Sequence, residues 1–377
     1  MTSSPPSTVS RAAARIDLGA VERNCARIRD RLEGAALCAV VKADGYGHGA
    51  LACARAAHAG GAGWLAVATA SEAAAVREQL PDARLLVLGA MTPAELELAL
   101  GADADVTVWR AGFLDLVDAR GAALGVTPRV HVKYDTGMGR LGEREPAAVT
   151  ALVERTAAAR VEAAGLWTHF ATADEPGSAF FDQQLARFRE LALPLRKRFP
   201  GLLLHAANSA AALREPASHL DMARCGIAIY GLDPFGEDPA ARGLEPALEL
   251  HSYVADVKPF EPGASAGYGR SWRATEATHV GVLPIGYGDG FRRALSNTAE
   301  VLVRGRRRPV VGTISMDNVT IDLGPESDVE PGDAAVLIGS QGDERVLAEE
   351  LAHRLATINY EVTTAIAARV PREYTRS

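Results

Sequence analysis

A lysine stands where an apolar segment meets a glycine-rich one near the start of this 377-residue chain. Lys42 follows Val40 and Val41 and precedes the segment 43–49, with the sequence ADGYGHG. Paired valines are typical of a buried parallel strand, which would hold the lysine half desolvated at the end of the strand. Desolvation favours the neutral amine, which is a Schiff-base nucleophile. The stretch alone leaves open an ordinary surface lysine.

Further polar residues lie at the ends of other apolar segments. Any one of them alone is compatible with a structural role. Several polar groups at one rim are costly to bury unless a ligand or a hydrogen-bond network pairs them, so the group indicates a binding site. These residues are Lys133, Asp135, His169, Asn208 and Arg224.

The segments that carry these residues predict a (β/α)8 barrel. Short apolar runs alternate with helix-forming ones such as Ser71–Glu78 and Asp182–Glu190, and eight such units match the size of this fold. The predicted strands are Cys38–Ala43, Trp64–Thr69, Leu85–Gly89, Asp105–Trp109, Arg129–Asp135, Ala163–His169, Leu203–Asn208 and Leu220–Arg224.

The segment Gly226–Tyr230 also has strand-like composition. We end the eighth strand at Arg224 instead, which places Gly226 and Ile227 at the start of a short helix. Barrels commonly bind phosphate at this position through backbone N–H groups.

After Pro246 the pattern changes to β-rich runs broken by turns, and a helix is predicted around Leu347–Leu355. We therefore predict a disordered tail at 1–10, a barrel domain at 11–244 and a β-rich domain at 245–377. The β-rich runs are Val254–Lys258, Val280–Ile285, Glu300–Val303, Val310–Ile314, Val319–Leu323 and Ala334–Ile338.

Composition excludes several functional classes. The net charge of -7 argues against binding to nucleic acid or a membrane surface, which needs a basic face. The basic cluster Arg304–Arg308 is interpreted as a solvated hairpin turn. The four cysteines lack metal-ligand spacing, and neither a signal peptide nor a membrane-spanning run is present, so we expect reduced thiols and a cytoplasmic protein without a metal.

A strand-end lysine, the Asn208-Ser209 pair and the Gly226-Ile227 pair together suggest an aldehyde-bearing phosphate cofactor, which is pyridoxal 5'-phosphate. At this point a family resemblance becomes specific. The chain resembles the alanine racemases over nearly its whole length, and three stretches in the same order carry the resemblance: 41–49 (VKADGYGHG), 133–142 (KYDTGMGRLG) and 357–362 (TINYEV).

The resemblance implies that Lys42 binds the cofactor as an aldimine and then acts as one of two bases. Tyr268 is the implied second base, which reaches the site from a partner subunit in a homodimer. Racemisation needs both, because a proton removed from one face of the α-carbon must be replaced from the other. The implied reaction interconverts L- and D-alanine and supplies D-alanine for peptidoglycan.

The same resemblance assigns supporting roles around these bases. A phenol has an ordinary pKa of about 10 and needs assistance as a base. His169 is implied to hydrogen-bond Tyr268, and Arg140 to contact the phenol and the substrate carboxylate. Lys133 corresponds to a lysine that is often carbamylated, and its new charge would orient Arg140. Arg224 is implied to face the pyridine nitrogen, which must then remain an unprotonated acceptor, since guanidinium only donates.

Phosphate and substrate contacts are also carried over by resemblance. Met316 is implied to bind the substrate carboxylate through its N–H, and Tyr287 to stand at the entrance. Ser315 occupies a position where many relatives have cysteine. The implied phosphate-binding residues are Tyr46, Ser209, Gly226, Ile227 and Tyr360, with Asn208 nearby.

Two alternatives remain at this point. One is a racemase of the same fold acting on serine or a wider range of amino acids. The other is a pyridoxal phosphate-binding protein without catalysis. Such barrel proteins lack a β-rich domain, so the presence of Tyr268 and Met316 counts against this alternative.

Overall fold

The computed structural model describes residues 10–156 and 159–377, which divide into two compact units. The barrel unit comprises Val21–Gly45 and Ala50–Ile229. The β-rich unit comprises the residues up to Ala20, the segment Tyr46–Gly49 and the segment Tyr230–Ser377. Apart from Ser10, the predicted tail lies outside the described residues.

The barrel unit is built on eight parallel strands. The first nine strands of the chain are β1 Ala13–Asp17, which belongs to the β-rich unit, β2 Ala36–Val40, β3 Trp64–Val67, β4 Arg84–Val87, β5 Asp105–Val108, β6 Arg129–Lys133, β7 Glu162–Trp167, β8 Leu203–His205 and β9 Met222–Cys225. The eight strands β2 to β9 pair in the order β8-β7-β6-β5-β4-β3-β2-β9. The N–H groups of Asp221 and Arg224 donate to the carbonyls of Leu204 and Ala207, at 3.0 and 2.9 Å, and return the sheet to β8.

Helices follow the barrel strands, and their first turns show why they begin where they do. Thr69 Oγ1 accepts from Glu72 N–H at 3.3 Å, and Glu72 Oε2 accepts from Thr69 N–H at 3.1 Å, which is a capping box. Thr92 and Glu95 form another. The helices between β1 and β9 are Leu18–Arg31, Ala50–Ala59, Ala70–Gln79, Pro93–Gly101, Ala111–Leu124, Pro146–Thr156, Ala179–Arg198 and Ser209–Arg214.

The predicted (β/α)8 barrel is confirmed, with corrections at the strand ends, since the strands predicted to reach Asp135, His169 and Asn208 end at Lys133, Trp167 and His205. The first strand was expected to reach Ala43, but β2 ends at Val40 and Lys42 begins the turn Lys42–Tyr46. Ala43 and Asp44 both have φ of 52° there, a left-handed conformation that cannot continue a strand. The predicted short helix after the eighth strand is confirmed as the 3-10 helix Ile227–Tyr230.

The β-rich unit contains a sheet ordered β16-β15-β18-β10-β1-β20, with β19 paired to β18, a three-stranded sheet β11-β14-β17 and the pair β12-β13. Two helices, Ala348–Arg354 and Asn359–Thr364, follow its penultimate strand. The strands are β10 Leu248–Tyr253, β11 Asp256–Phe260, β12 Ser265–Ala266, β13 Trp272–Arg273, β14 Thr278–Leu283, β15 Glu300–Val303, β16 Arg306–Pro309, β17 Val319–Gly324, β18 Ala334–Gln341, β19 Glu344–Val346 and β20 Arg372–Thr375.

Two features of this unit differ from the sequence prediction. The run Val310–Ile314 forms only a single bridge, from Val310 to Ile321, because Gly312 turns the backbone with a φ of 76°. The strand β1 was not predicted. It pairs antiparallel with β10 and parallel with β20, although the predicted barrel domain included its residues.

The basic hairpin turns where it was predicted, and the cysteines lie in the interior of the protein. Arg304 and Gly305 turn between β15 and β16, as expected, but Arg307 is paired rather than solvated, with Glu300 Oε2 at 3.1 Å and Glu350 Oε1 at 2.9 Å. All four cysteines are buried free thiols, and burial raises the pKa of Cys38 and of Cys225 to about 12.

Within residues 10–156 and 159–377, no helix has both the length and the apolar composition needed to cross a membrane. In the same residues no group of His, Cys, Asp and Glu side chains is arranged to hold a metal ion.

The pairing of β1 predicts a stability effect. Ile16 is fully buried in β1, between β10 and β20. Ile16→Ala should lower the free energy of unfolding by about 2–5 kcal/mol, through lost burial and a residual cavity. Urea denaturation followed by circular dichroism measures this. The half-exposed Val126 is the control, because Val126→Ala should change the value by less than about 0.5 kcal/mol. Equal small effects at both positions would contradict the role of β1.

Candidate active site

Lys42 begins a turn whose backbone is strained. Ala43, Asp44 and Tyr46 have φ of 52°, 52° and 54°. L-residues enter this region at a cost of about 1–2 kcal/mol each, and they remain there only where neighbouring groups hold the backbone. The turn therefore needs specific support.

Glu72 provides much of that support. Its Oε1 accepts from Ala43 N–H at 2.7 Å, while its Oε2 accepts from the N–H groups of Ala68 and Thr69 at 2.8 and 3.1 Å. One carboxylate thus caps the helix Ala70–Gln79 and fixes the residue beside Lys42. The sequence pattern predicts this helix but not the role of Glu72, although the Thr-x-x-Glu spacing signals a cap.

Four cations of the barrel unit lie close enough to act on one another. Burial and then the charge of Arg140 lower the pKa of Lys42, against the opposing charge of Glu72. Burial, followed by the charges of Arg224 and Arg140, lowers the pKa of Lys133 to about 7. Such a concentration of positive charge attracts an anion.

Lys133 is also placed by an aromatic ring. Its Nζ lies 4.1 Å from the ring centroid of Trp167, and the guanidinium carbon of Arg224 lies 4.6 Å from the same ring. Both are cation–π distances. The ring holds two cations together that would otherwise repel one another.

The loop that carries Arg140 is organised by Asp135. Its carboxylate accepts from the N–H groups of Gly137 and Gly139, each at 3.1 Å. The Asp135 N–H donates to the carbonyl of Glu143 at 2.8 Å and closes the loop. Asp135 therefore holds the loop, and Arg140 is exposed on it.

His169 is a neutral imidazole. Burial first, and then the charges of Arg224, Arg140 and other cations, lower its pKa well below the ordinary value. Its Nδ1 accepts from Arg224 Nη2 at 3.3 Å. Since the neutral ring carries one proton, Nε2–H remains as its donor.

Arg224 is buried and donates to several acceptors. It contacts the carbonyls of Thr168 and Ala206 at 2.7 and 3.1 Å and His205 Nδ1 at 3.0 Å. None of these bonds, nor the one to His169, uses the Nε–H. Burial lowers the pKa of Arg224 to about 10, so the group stays charged, and a pure donor, at neutral pH.

The side chains that pack behind Arg224 were not among the predicted site residues. His205 Nε2 lies 2.8 Å from His131 Nδ1, and His131 Nε2 lies 3.0 Å from Asp105 Oδ2. One signal was available, because His131 and Lys133 are two residues apart on β6 and so share a face of the strand. Asp105, His131, His205 and Arg224 form the histidine network.

The residues after β8 and β9 meet through a hydroxyl group. Ser209 Oγ accepts from the N–H groups of Gly226 and Ala228 at 3.0 and 3.4 Å. Asn208 instead caps the helix Ser209–Arg214, since its Oδ1 accepts from Ala211 N–H at 3.0 Å. The structure therefore brings Ser209 and the start of the 3-10 helix together, as the sequence predicts.

The β-rich unit presents a second group of predicted residues on exposed loops. The side chains of Tyr268, Met316 and Tyr287 are 73%, 52% and 40% exposed. The loops of Tyr287 and Met316 are joined, since Tyr287 N–H donates to the carbonyl of Ser315 at 3.1 Å. The Tyr268 carbonyl accepts from Thr313 Oγ1 at 2.8 Å, a few residues before Met316.

Two carboxylates and two arginines secure these loops. Arg11 pairs with Asp289 and Asp317 at 2.9 and 3.2 Å, and Arg369 pairs with the same two aspartates at 2.8 and 2.9 Å. Asp289 is buried, and its Oδ2 accepts from Gly286 N–H at 2.9 Å. The four charges hold the two loops in one arrangement.

Tyr46 and Tyr360 lie together in the β-rich unit. The ring centroid of Tyr46 is 5.8 Å from that of Tyr360 and 5.2 Å from that of Tyr230. Gly47 beside it has a φ of 86°, and a Cβ there would lie 2.2 Å from the carbonyl oxygen of Thr363. Only glycine fits, which explains part of the glycine-rich segment.

The barrel unit thus assembles an amine with a lowered pKa, a buried guanidinium and a neutral imidazole. A neutral amine forms an imine with an aldehyde, and the surrounding cations suit an anionic ligand. The β-rich unit assembles a phenol and a backbone N–H on secured loops. These groups are suited to proton transfer and to carboxylate binding.

Comparison with known proteins identifies the same family as the sequence motifs. The profile described as "Alanine racemase, N-terminal domain" matches residues 16–234, and "Alanine racemase, C-terminal domain" matches residues 247–374.

Individual alanine racemases are similar to this chain along nearly its whole length. The alanine racemase of Symbiobacterium thermophilum is 41% identical over 363 residues, covering 96% of each chain. That of Streptomyces coelicolor is 43% identical over 379 residues, covering 97% of this chain and 96% of the relative. The crystal structure of alanine racemase from D-cycloserine-producing Streptomyces lavendulae superposes with a TM-score of 0.93 at 40% identity, covering 98% of each chain. This chain belongs to the alanine racemase family.

Proposed function

We propose that this chain is an alanine racemase that interconverts L-alanine and D-alanine with pyridoxal 5'-phosphate held by Lys42. The observation that carries the proposal is that Lys42, whose pKa is lowered by burial, and the buried Arg224 both act on the same imidazole, that of His169, with Arg224 Nη2 3.3 Å from His169 Nδ1. The alanine racemases to which the chain is 41% and 43% identical support the choice of alanine.

The donor set of the barrel unit fits this cofactor. Its phosphate and phenolate groups are anionic, and the positive charges of Arg140 and Arg224 suit them. Ser209 with Gly226 and Ile227 would hold the phosphate through a hydroxyl and N–H groups. Bound pyridoxal phosphate withdraws electrons from the α-carbon of an amino acid and so makes its C–H bond acidic.

The two proposed bases act at opposite faces of that carbon. Lys42 Nζ holds or releases the α-proton on one face, and Tyr268 Oη does so on the other. The His169 Nε2–H is the donor that would stabilise the phenolate of Tyr268. Arg140 and the Met316 N–H would bind the substrate carboxylate, and Tyr287 would restrict the entrance.

Arg224 controls the electron demand of the reaction. Because the guanidinium remains charged, its Nε–H would donate to the pyridine nitrogen and keep that nitrogen unprotonated. Electron withdrawal is then limited, which disfavours side reactions of the α-carbon. Tyr46, Tyr360 and Asn208 remain predicted cofactor contacts.

We infer a homodimer in which Tyr268 of the partner subunit completes each site. The exposure of Tyr268 and Met316, at 73% and 52%, supports this, since clustered exposed apolar side chains mark interaction surfaces. The predicted division into a barrel domain at 11–244 and a β-rich domain at 245–377, the second of which would contribute to the partner subunit's site, belongs to the same proposal. Peptidoglycan supply and cytoplasmic location stay predictions.

The alternatives are not favoured. The alanine racemases to which the chain is 41% and 43% identical support alanine over serine or a wider range, and a non-catalytic cofactor carrier would not need Tyr268. Isotope exchange distinguishes all three functions. In deuterated water with L-alanine, the protein should produce D-alanine and α-deuterated alanine. Exchange with L-serine alone would favour the second function, and no exchange with any amino acid would favour the carrier.

The role of Tyr268 can be tested by removing its hydroxyl group. Tyr268→Phe should lower racemisation by about 10²- to 10⁴-fold, the usual contribution of a general base, while leaving the absorption of the Lys42-bound cofactor unchanged. Tyr287→Phe, at another exposed tyrosine of the same unit, should have a much smaller effect. Full activity of Tyr268→Phe would refute the two-base assignment.

The lowered pKa of Lys133 predicts carbamylation that depends on pH. Only the neutral amine reacts with carbon dioxide, so carbamate should increase as pH rises through about 7. Carbon-13 NMR with labelled bicarbonate would detect it. Lys133→Ala should abolish the signal, and Lys258→Ala, at an exposed lysine, should retain it. A signal that persists in Lys133→Ala would contradict the assignment.

A further inference from the structure

The four residues of the histidine network form one continuous chain of hydrogen bonds through the interior of the barrel unit. Arg224 Nη1 contacts His205 Nδ1 at 3.0 Å, His205 Nε2 contacts His131 Nδ1 at 2.8 Å, and His131 Nε2 contacts Asp105 Oδ2 at 3.0 Å. Asp105 is the first residue of β5, and His205 is the last of β8. This chain of hydrogen bonds therefore connects the end of the barrel where the strands begin to the end where they finish.

All four members of the histidine network are buried, so the loss of any one of its hydrogen bonds would lower stability. Asp105, His131 and His205 are 0% exposed, and Arg224 is 3% exposed. Unmatched donors or acceptors in such an environment cost roughly 1–3 kcal/mol each, because water cannot replace the lost partner. The protons must therefore be arranged so that every contact has one donor and one acceptor.

Only one arrangement with neutral histidines satisfies this requirement. Arg224 can only donate, so His205 Nδ1 must be unprotonated and its proton must lie on Nε2. His205 Nε2–H then donates to His131 Nδ1, which leaves the proton of His131 on Nε2, facing Asp105. Burial, with the charge of Arg224, lowers the pKa of His205 well below its ordinary value, consistent with a neutral ring.

Asp105 is held as the acceptor at the far end. Burial opposes its ionisation, but hydrogen bonds from His131, Arg84 and Arg129 outweigh this and keep its pKa below the ordinary value. Arg84 Nη2 lies 3.0 Å from Oδ2, and Arg129 Nε lies 2.6 Å from Oδ1. The carboxylate is therefore a fixed negative charge.

The surrounding residues leave room for these rings in one orientation. The rings of Trp167 and His205 stack, with centroids 5.7 Å apart and planes at 6°. A Cβ at Gly165 would lie 2.3 Å from His131 Nδ1, so glycine at this position makes space for the contact between the two imidazoles.

We propose that Asp105 and His131 are positioning residues for racemisation: they fix the His205 tautomer that accepts from Arg224, and so orient the guanidinium for the ring nitrogen of the cofactor. This proposal rests on the proposed function. Aspartate fixes a catalytic histidine tautomer in the same way in serine proteases. Here the aspartate acts through two histidines, from the opposite end of a barrel.

Removing the charge of Asp105 should release the tautomer. In Asp105→Asn, the amide can donate to His131 Nε2, which allows the proton of His131 to move to Nδ1. His131 then donates to His205 Nε2, and the proton of His205 must occupy Nδ1, against the N–H of Arg224. Asp103→Asn is the matched control, because Asp103 also pairs with Arg129, at 2.8 Å, but is exposed and does not contact His131.

The test reads the tautomers directly, in the full-length protein without cofactor. Nitrogen-15 NMR of histidine-labelled protein, with signals assigned through His131 and His205 variants, should show Nε2–H and unprotonated Nδ1 on both rings. Asp105→Asn should shift His205 toward Nδ1–H, and Asp103→Asn should match the wild type. A proton on Nδ1 of His205 in the wild type would overturn the proposal, whether or not Asp105→Asn folds.

A second variant and a kinetic measurement extend the test. Gly165→Ala should displace His131 and disturb the His205 signals in the same direction, while an unchanged His205 in both variants would overturn the proposal. In the cofactor-loaded protein, Asp105→Asn should lower kcat roughly 10- to 100-fold, as when groups orienting a metal ligand are lost, with KM for alanine little changed. Wild-type racemisation is scored separately, so its absence would refute the proposed function and not the tautomer assignment.

Discussion

A buried positive charge constrains much of the barrel interior. Arg224 is 3% exposed, and a guanidinium removed from water must be given acceptors at nearly every donor. Two carbonyls and two imidazoles meet that need, and both imidazoles must be neutral to accept. The histidines, the ring of Trp167 and the distant Asp105 are all arranged around this requirement. The lowered pKa values of Lys133 and His169 follow from the same charge, after burial.

The strained turn after β2 meets a different requirement. The left-handed residues Ala43 and Asp44 prevent the strand from continuing and redirect the backbone directly after Lys42. Glu72 stabilises this conformation through Ala43 N–H, and it is itself fixed by capping a helix. The position of the reactive amine thus depends on a helix terminus, as well as on its own strand.

The sequence was sufficient for the repeating elements and for motif residues, and insufficient for long-range partners. All eight barrel strands were recognised, because each is a short apolar run between helical segments. β1 was not, since a five-residue strand gains its identity from β10 and β20, more than 200 residues away. Lys42 and Arg140 were found through motifs and Arg224 through its place at a strand end. Asp105 and His205 carry no local signature, and His131 has only its spacing from Lys133. The left-handed turn was hidden by the valines before it, which continue the strand pattern.

The parallel pairing of β1 with β20 has a consequence for the order of events during synthesis. β1 leaves the ribosome before both of its partners, Leu248–Tyr253 and Arg372–Thr375, which follow it by more than 200 and more than 350 residues. The barrel strands, by contrast, are complete once residue 225 has emerged. β1 must therefore wait, unpaired on one edge, until the segment that forms β20 has been translated. Such distant contacts slow folding and leave an open strand edge, so the nascent chain is most exposed to mispairing at its amino end.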